Sequence, residues 1–172
     1  MSGQINERSQ DVEKPTRITF VQFYEFKAFA HYSLSLEHVN ILVGPNNSGK
    51  STILGAFRTL AIGLRHARSK KPERVDTPEG SGLGYRLSDT TLPMSLENVH
   101  TDYSVTDSRV TFQLSNGNRL HLWFPRTEGC VLLPETRDTL IHSPASFKKA
   151  FPIDLTVVDM STLFRTKNLT GF

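Results

Sequence analysis

The run GPNNSGKST, from Gly44 to Thr52, gathers residue types that hold phosphate. Its first eight residues satisfy G-x-x-x-x-G-K-[ST]. In that spacing a loop turns its backbone N–H groups inward around a phosphate chain, and Gly49 permits the close approach. Lys50 supplies a point charge to the β- and γ-phosphates, and the Ser51 hydroxyl is placed to ligate Mg²⁺. A helix beginning at this point directs its positive end at the same oxygens. The candidate binding set is Gly44, Pro45, Asn46, Asn47, Ser48, Gly49, Lys50, Ser51 and Thr52, with Ser51 as the metal ligand.

Such a loop works only between a strand that delivers it and a helix that receives it. VNILV at 39–43 is apolar on both faces and reads as a short buried strand ending at Gly44. From Lys50 to about Arg65, the residues Ile53, Ala56, Phe57, Leu60 and Leu64 recur at helical steps and form one apolar stripe. This context favours a phosphate cradle over a glycine turn before an ordinary helix. Upstream, RITFVQFYEFKAF at 17–29 predicts a strand running into a bend, and YSLSL at 32–36 a second strand paired with it.

Downstream, Pro72 prevents the helix from continuing through RHARSKKPER. The prolines and glycines of 75–85 predict a surface loop, in which EGSGLGY is flexible backbone rather than a second phosphate site. RVTFQL at 109–114 and RLHLWF at 119–124 predict two strands. A two-residue Asn116-Gly117 turn would set Phe112 opposite His121 and split the aliphatic side chains between faces. A three-residue loop of Asn116, Gly117 and Asn118 puts Val110, Phe112 and Leu114 on one face with Leu120, Leu122 and Phe124. That register predicts a left-handed residue at Gly117 or Asn118.

The 172 residues suffice for one domain with a core, and the composition (37% hydrophobic, 22% charged) is that of a globular chain. A net charge of +3 is too small to imply nucleic acid by itself. Cys130 is the only cysteine, which excludes an internal disulfide and a cysteine metal cluster and suits a reducing cytoplasm. No apolar run reaches the ~18 residues of a membrane-spanning helix, and the polar stretch 1–15 reads as a disordered tail.

The chain has no N-K-x-D element for reading guanine; TKNL at 166–169 does not substitute. A small-molecule kinase usually opens with its cradle strand, whereas two strand-like segments come first here. Entry after a hairpin matches the heads of ABC-type ATPases. The stretch from FYEFKAF at 23–29 through LSLEHVNILVGPNNSGKSTILGAFRTL at 34–60 resembles the N-terminal lobe of RecF/SMC-like ABC ATPases. Within them it is most similar to the OLD-type and Gabija-type AAA (ABC-class) ATPases of antiphage defence. SLENVHTDY at 95–103, with the strand pair around SNGN, is similar to the lobe insertion of one such subgroup. Many SMC-like heads carry glycine where this chain has Asn47, but asparagine tolerates positive φ and preserves the loop.

The resemblance implies an α/β, P-loop N-terminal lobe: a mixed sheet, an antiparallel β arm and the Walker A helix. It implies ATP and Mg²⁺ as ligands, and it places Lys27 and its bend near the nucleotide; the plain alternative is a solvated lysine beside an aromatic cluster. It also makes the basic residues Arg65, Arg68, Lys70, Lys71 and Arg74 candidates for DNA contact, beside the plainer reading of a solvated helix end.

Two parts of an ABC head have no counterpart, the signature helix and the Walker B strand. DLTVVDM at 154–160 ends an apolar strand on Asp159, but Met160 stands where a water-activating glutamate belongs. No catalytic residue is assigned. The expectation is therefore a partial ATPase head over 16–172, its C-terminal lobe absent. Self-association or a partner chain would supply that lobe, and in a complete protein ATP-driven dimerisation would couple to DNA sensing, DNA repair or a nuclease effector. A non-hydrolysing regulatory fragment and a phosphotransferase acting on a small acceptor are the two other classes consistent with the cradle.

Overall fold

The computed structural model describes residues 15–38, 40, 42–94, 99–101, 105–127 and 129–155. In chain order these form β1 (Ile18–Phe26), β2 (Phe29–Ser35), α1 (Lys50–Ala67), β3 (Glu73–Thr77), β4 (Gly80–Leu87), a 3-10 turn at Asp89–Thr91, β5 (Ser108–Leu114), β6 (Arg119–Phe124), β7 (Cys130–Glu135) and α2 (Pro144–Ala150).

The strands build one seven-stranded sheet in the order β2-β1-β5-β6-β7-β4-β3. Every pairing in it is antiparallel. This corrects the expected mixed sheet. Parallel neighbours need a long crossover between them. The long helical connection here, α1, joins β2 to β3, which lie at opposite edges.

Alternation sets the buried face. β5 and β6 present Val110, Phe112, Leu114, Leu120, Leu122 and Phe124 to the core, all almost fully buried. Val21 and Phe23 of β1, Leu132 of β7, and Tyr85 and Leu87 of β4 extend the same surface. α1 covers it along the predicted stripe: Ile53, Ala56, Leu60 and Leu64 are buried, and Phe57 meets Phe112 edge to face at 5.3 Å. Gly63 lets the helix approach closely, since a Cβ there would lie 3.2 Å from the Leu132 side chain. α2 adds Phe147, whose ring meets Tyr85 at 5.5 Å. A capping box fixes its start, Ser143 and Ser146 each bonding the other's backbone N–H.

The β5–β6 register pairs Val110 with Leu122 and Phe112 with Leu120, keeping the aliphatic side chains on one face as expected. The loop lies one residue earlier than the sequence suggests. Leu114 N–H donates to Asn118 O at 2.9 Å and closes Ser115, Asn116 and Gly117, with Gly117 left-handed at φ 83°. The amides of Asn116 and Asn118 both donate to Ala150 O at the end of α2, at 3.1 and 2.9 Å. A contact remote in sequence thus settles the loop.

Two other expectations are corrected. The loop predicted over 75–85 is a hairpin, Thr77 pairing with Gly80 across Pro78-Glu79. Its glycines are tolerated because the hairpin lies at the sheet edge, and Gly84 packs where a Cβ would meet the Leu133 side chain at 2.8 Å. The strand predicted at 39–43 is not seen among its described residues: Asn40, Leu42 and Val43 are in no strand, and Val43 is 85% exposed. An apolar strand needs neighbours for its backbone groups and its faces, and no described strand pairs with these residues. Leu155 and the residues before it from Phe151 are likewise outside any strand, and 156–160, including Asp159 and Met160, lie outside the described residues. So do the tail at 1–14, most of 95–103, and TKNL at 166–169.

The opposite face carries a polar row. Thr111 Oγ1 lies 2.9 Å from His121 Nδ1, and His121 Nε2 lies 2.9 Å from Glu135 Oε2. Burial lowers the His121 pKa despite the opposing pull of Glu135, and burial also lowers that of His100. Each ring binds its proton more weakly folded than unfolded. As pH falls through the ordinary histidine value of 6.5, the unfolded chain therefore takes up protons first and stability declines. Melting temperature should drop between pH 7.5 and 5.5 and level off below both folded pKa values. A His121→Gln variant should show a shallower drop, and a wild-type profile flat across this range would contradict it.

Candidate phosphate-binding site

β1 and β2 form the predicted hairpin, with Phe23 opposite Tyr32 and Phe26 opposite Phe29. The predicted bend lies at its tip, where Glu25 and Lys27 take left-handed φ values of 47° and 54°. Two backbone hydrogen bonds and one from a side chain clamp it. Lys27 N–H donates to Val99 O at 2.6 Å, Thr101 N–H to Glu25 O at 3.2 Å, and the Ser108 hydroxyl to Glu25 O.

The cradle follows. Gly44, Asn47 and Gly49 have φ values of 152°, 66° and 84°, so the loop reverses through three positive-φ residues before entering α1 at Lys50. Asn47 thus adopts the conformation that its residue type permits. Gly44 has little room, since a Cβ would meet Ser48 Oγ at 2.9 Å. Lys50 Nζ donates to Gly44 O and Pro45 O, both at 2.6 Å, and to Ser48 Oγ at 3.2 Å. The ammonium is thereby drawn into the mouth of the loop. The first amides of a helix have no intrahelical acceptor, so positive charge and N–H donors share one concavity.

Pro45 and Asn46 are exposed in the loop, Ser51 is exposed and Thr52 half-buried in the first turn of α1. Ile53 N–H already donates to Gly49 O at 3.0 Å. Asp or Glu is absent from that first turn, which leaves the helix end free of an internal competitor for an anion. The residues fit a polyphosphate with its metal ion, for which Ser51 is the candidate hydroxyl.

The bend and the cradle are neighbours. The Phe29 ring lies against Gly49, where a Cβ would come within 2.3 Å of Cζ. The motif alone does not reveal this contact, because Phe29 lies far outside it; the only sequence signal is an aromatic two residues after Lys27. Lys27 itself is half-buried at the bend.

The basic residues in the last turn of α1 and beyond it are dispersed in role. The Arg68 guanidinium donates to Ile153 O, and Arg74 Nε donates to Ser81 Oγ at 2.7 Å. Arg65, Lys70 and Lys71 are exposed. The His66 ring meets Tyr85 edge to face at 6.4 Å. Tyr85 is buried, its hydroxyl has no partner among the described residues, and burial pushes its pKa up to about 12. Burial also pushes the Cys130 thiol up, so it is a core side chain rather than a nucleophile. Among the described residues, no group of three or more His, Cys, Asp or Glu side chains is arranged to hold a metal. Nor is any described helix long and apolar enough to cross a membrane.

A family model described as "AAA domain, putative AbiEii toxin, Type IV TA system" matches residues 39–170, more than half of the chain and including the whole cradle. Among curated proteins, none matches it.

Proposed function

The chain belongs to the AAA-domain family whose description names the AbiEii toxin and the type IV TA system, and from that premise we propose that its cradle binds Mg²⁺-ATP. It is a P-loop domain of the ATPase type. The observation that carries the proposal is the Lys50 ammonium held at the loop mouth by Gly44 O and Pro45 O. A phosphate oxygen entering there exchanges two neutral acceptors for an anionic one, which makes the stronger hydrogen bond. The chain's residues would bind and orient: loop amides and Lys50 would take the phosphates, and Ser51 would hold the metal, which would supply neutralising positive charge.

In this proposal the domain acts as the Walker A lobe of a RecF/OLD-like, ABC-class ATPase. ATP would bring two heads together and couple that event to DNA sensing, DNA repair or a nuclease effector in antiphage defence. The toxin–antitoxin wording of the family description supports an effector-control role. Arg65, Lys70 and Lys71 are exposed, whereas Arg68 and Arg74 make side-chain hydrogen bonds, and the first three are proposed for DNA backbone contact. The Lys27 bend, next to the cradle through Phe29, is proposed to line the nucleotide.

A chain with a cradle but no assigned water-activating carboxylate holds the ground state about as well as the transition state. Purified protein should therefore bind a fluorescent ATP analogue in a Mg²⁺-dependent manner, ATP displacing it only modestly better than GTP. Single-turnover hydrolysis should be very slow. A strong GTP preference would overturn the ATP assignment, and fast turnover by the isolated chain would overturn the need for a second lobe. Ser51→Ala should chiefly reduce the Mg²⁺ dependence.

A further inference from the structure

The sheet face turned away from α1 carries a second concavity. Tyr24 of β1 pairs with Arg109 of β5, and Arg109 with Trp123 of β6, so an arginine stands in a cross-strand row between two aromatic residues. The tip of the β3–β4 hairpin reaches over this row. Its turn at Glu79 closes a cavity of about 300 Å³ against Tyr24, Arg109, Trp123 and Leu133. Both rings are held in place. The His31 ring meets Tyr24 edge to face at 4.9 Å, and Trp123 Nε1 donates to Asp107 Oδ2 at 3.0 Å. Asp107 Oδ1 accepts from the Arg126 backbone N–H at 2.8 Å, so both oxygens of that carboxylate are engaged. Arg109 is held more loosely. Its Nη1 donates to Glu79 Oε1 at 2.7 Å, with the two side chains 36% and 69% exposed. An ion pair this exposed contributes little to stability, and a single oxygen leaves the guanidinium's planar fork incompletely used.

We propose that this cavity binds a small aromatic carboxylate, with Glu79 standing in for the ligand at Arg109. The ligand's carboxylate takes the guanidinium as the hairpin carboxylate swings out, and its ring lies among Tyr24, Trp123 and Leu133. The site is independent of the phosphate cradle. Charge sets the ligand class. The described lining holds one cation, Arg109, against two carboxylates, Glu79 and Asp107. A monoanion that replaces Glu79 restores the pair. A phosphate dianion would leave charge uncompensated beside Asp107, a cationic ring would meet Arg109, and a neutral ring could not displace Glu79. Size agrees, because a cavity of about 300 Å³ is at the lower end for small-molecule sites and admits one ring or two fused ones. A mere staple for the hairpin tip would account for the ion pair, but not for two immobilised rings lining a cavity beside it.

Calorimetry with benzoate, benzamide, benzylamine and inorganic phosphate tests the ligand class. The fluorescence of Trp123, the only tryptophan in the chain, reports where benzoate sits. Wild type should bind benzoate in preference to the other three, with a change in Trp123 emission. Arg109→Gln should weaken benzoate about tenfold or more, the loss of a charge-assisted hydrogen bond. Tyr24→Ala should weaken it about threefold to tenfold. Glu79→Gln should strengthen it about twofold to fivefold, because the internal competitor is gone. A staple predicts otherwise, since loosening the hairpin would improve no affinity. Glu79 is an exposed turn residue, so that variant decides the matter even if Arg109→Gln fails to fold. Absence of benzoate binding in both wild type and Glu79→Gln overturns the site. So do undiminished affinity in folded Arg109→Gln, a Glu79→Gln protein no tighter than wild type, or binding that leaves Trp123 emission unchanged. Benzamide, benzylamine or phosphate binding as tightly as benzoate overturns the ligand class.

Discussion

Lys50→Ala should lower the affinity for Mg²⁺-ATP about a hundredfold while leaving the domain folded. Losing a charge-assisted hydrogen bond to a phosphate costs about 1.5–3 kcal/mol, and the upper end applies where one ammonium serves two phosphates. The substitution also frees Gly44 O and Pro45 O, which Nζ holds at 2.6 Å, so the loop loses an internal brace. Stability should barely change, since the apolar stripe of α1 begins at Ile53 and Lys50 contributes nothing to the core. Equilibrium titration with a fluorescent ATP analogue measures the first effect and thermal unfolding the second. Undiminished affinity in a folded variant would remove the basis of the nucleotide assignment.

The second large effect belongs to Gly49→Ala. The residue sits at φ 84°, a left-handed conformation that costs a non-glycine residue about 1–2 kcal/mol. The new methyl would also lie 2.3 Å from Phe29 Cζ, a distance that forces the ring to move. Together these should destabilise the protein by about 2–4 kcal/mol. Because the steric part is shared with Phe29, the double variant Gly49→Ala/Phe29→Ala should be less destabilised than the sum of the single variants. Urea unfolding of the four proteins tests this, and strict additivity would show that ring and glycine do not press on each other.

The cradle was legible because its constraints are local. Gly44, Asn47 and Gly49 each stand where φ is positive, and Lys50 folds back on atoms no more than six residues away. The sides of α1 and of β5 and β6 were legible for a related reason: helical and strand periodicity each report which side meets the core. What escaped was decided by partners distant in the chain. Pro78 and the glycines of β4 carry loop chemistry, and only the close approach of Leu133 to Gly84 shows why a strand needs a glycine there. The one-residue offset of the β5–β6 loop follows from Ala150 O capturing Asn116 and Asn118. The sheet's uniform antiparallel sense follows from α1 linking its two edges, which periodicity does not encode. Contact between Phe29 and Gly49 spans twenty residues and lies outside any motif.

The position of β1 between β2 and β5 sets an order of events for a chain leaving the ribosome. Arg17 and Ser115, which bond at the end of the β1–β5 ladder, are 98 positions apart in the sequence. The β1–β2 hairpin, α1 and the β3–β4 hairpin must all be synthesised before β1 can find its inner neighbour. Until then, the hydrophobic side chains of Val21 and Phe23 have no sheet to cover them, and one edge of β1 is an open template. β5, β6 and β7, by contrast, are joined by short connections and can zip together as a meander as soon as they emerge. β1 therefore waits longest for its inner neighbour, and in pulse-labelling hydrogen exchange its protection on the β5 side should lag that of the β5–β7 meander.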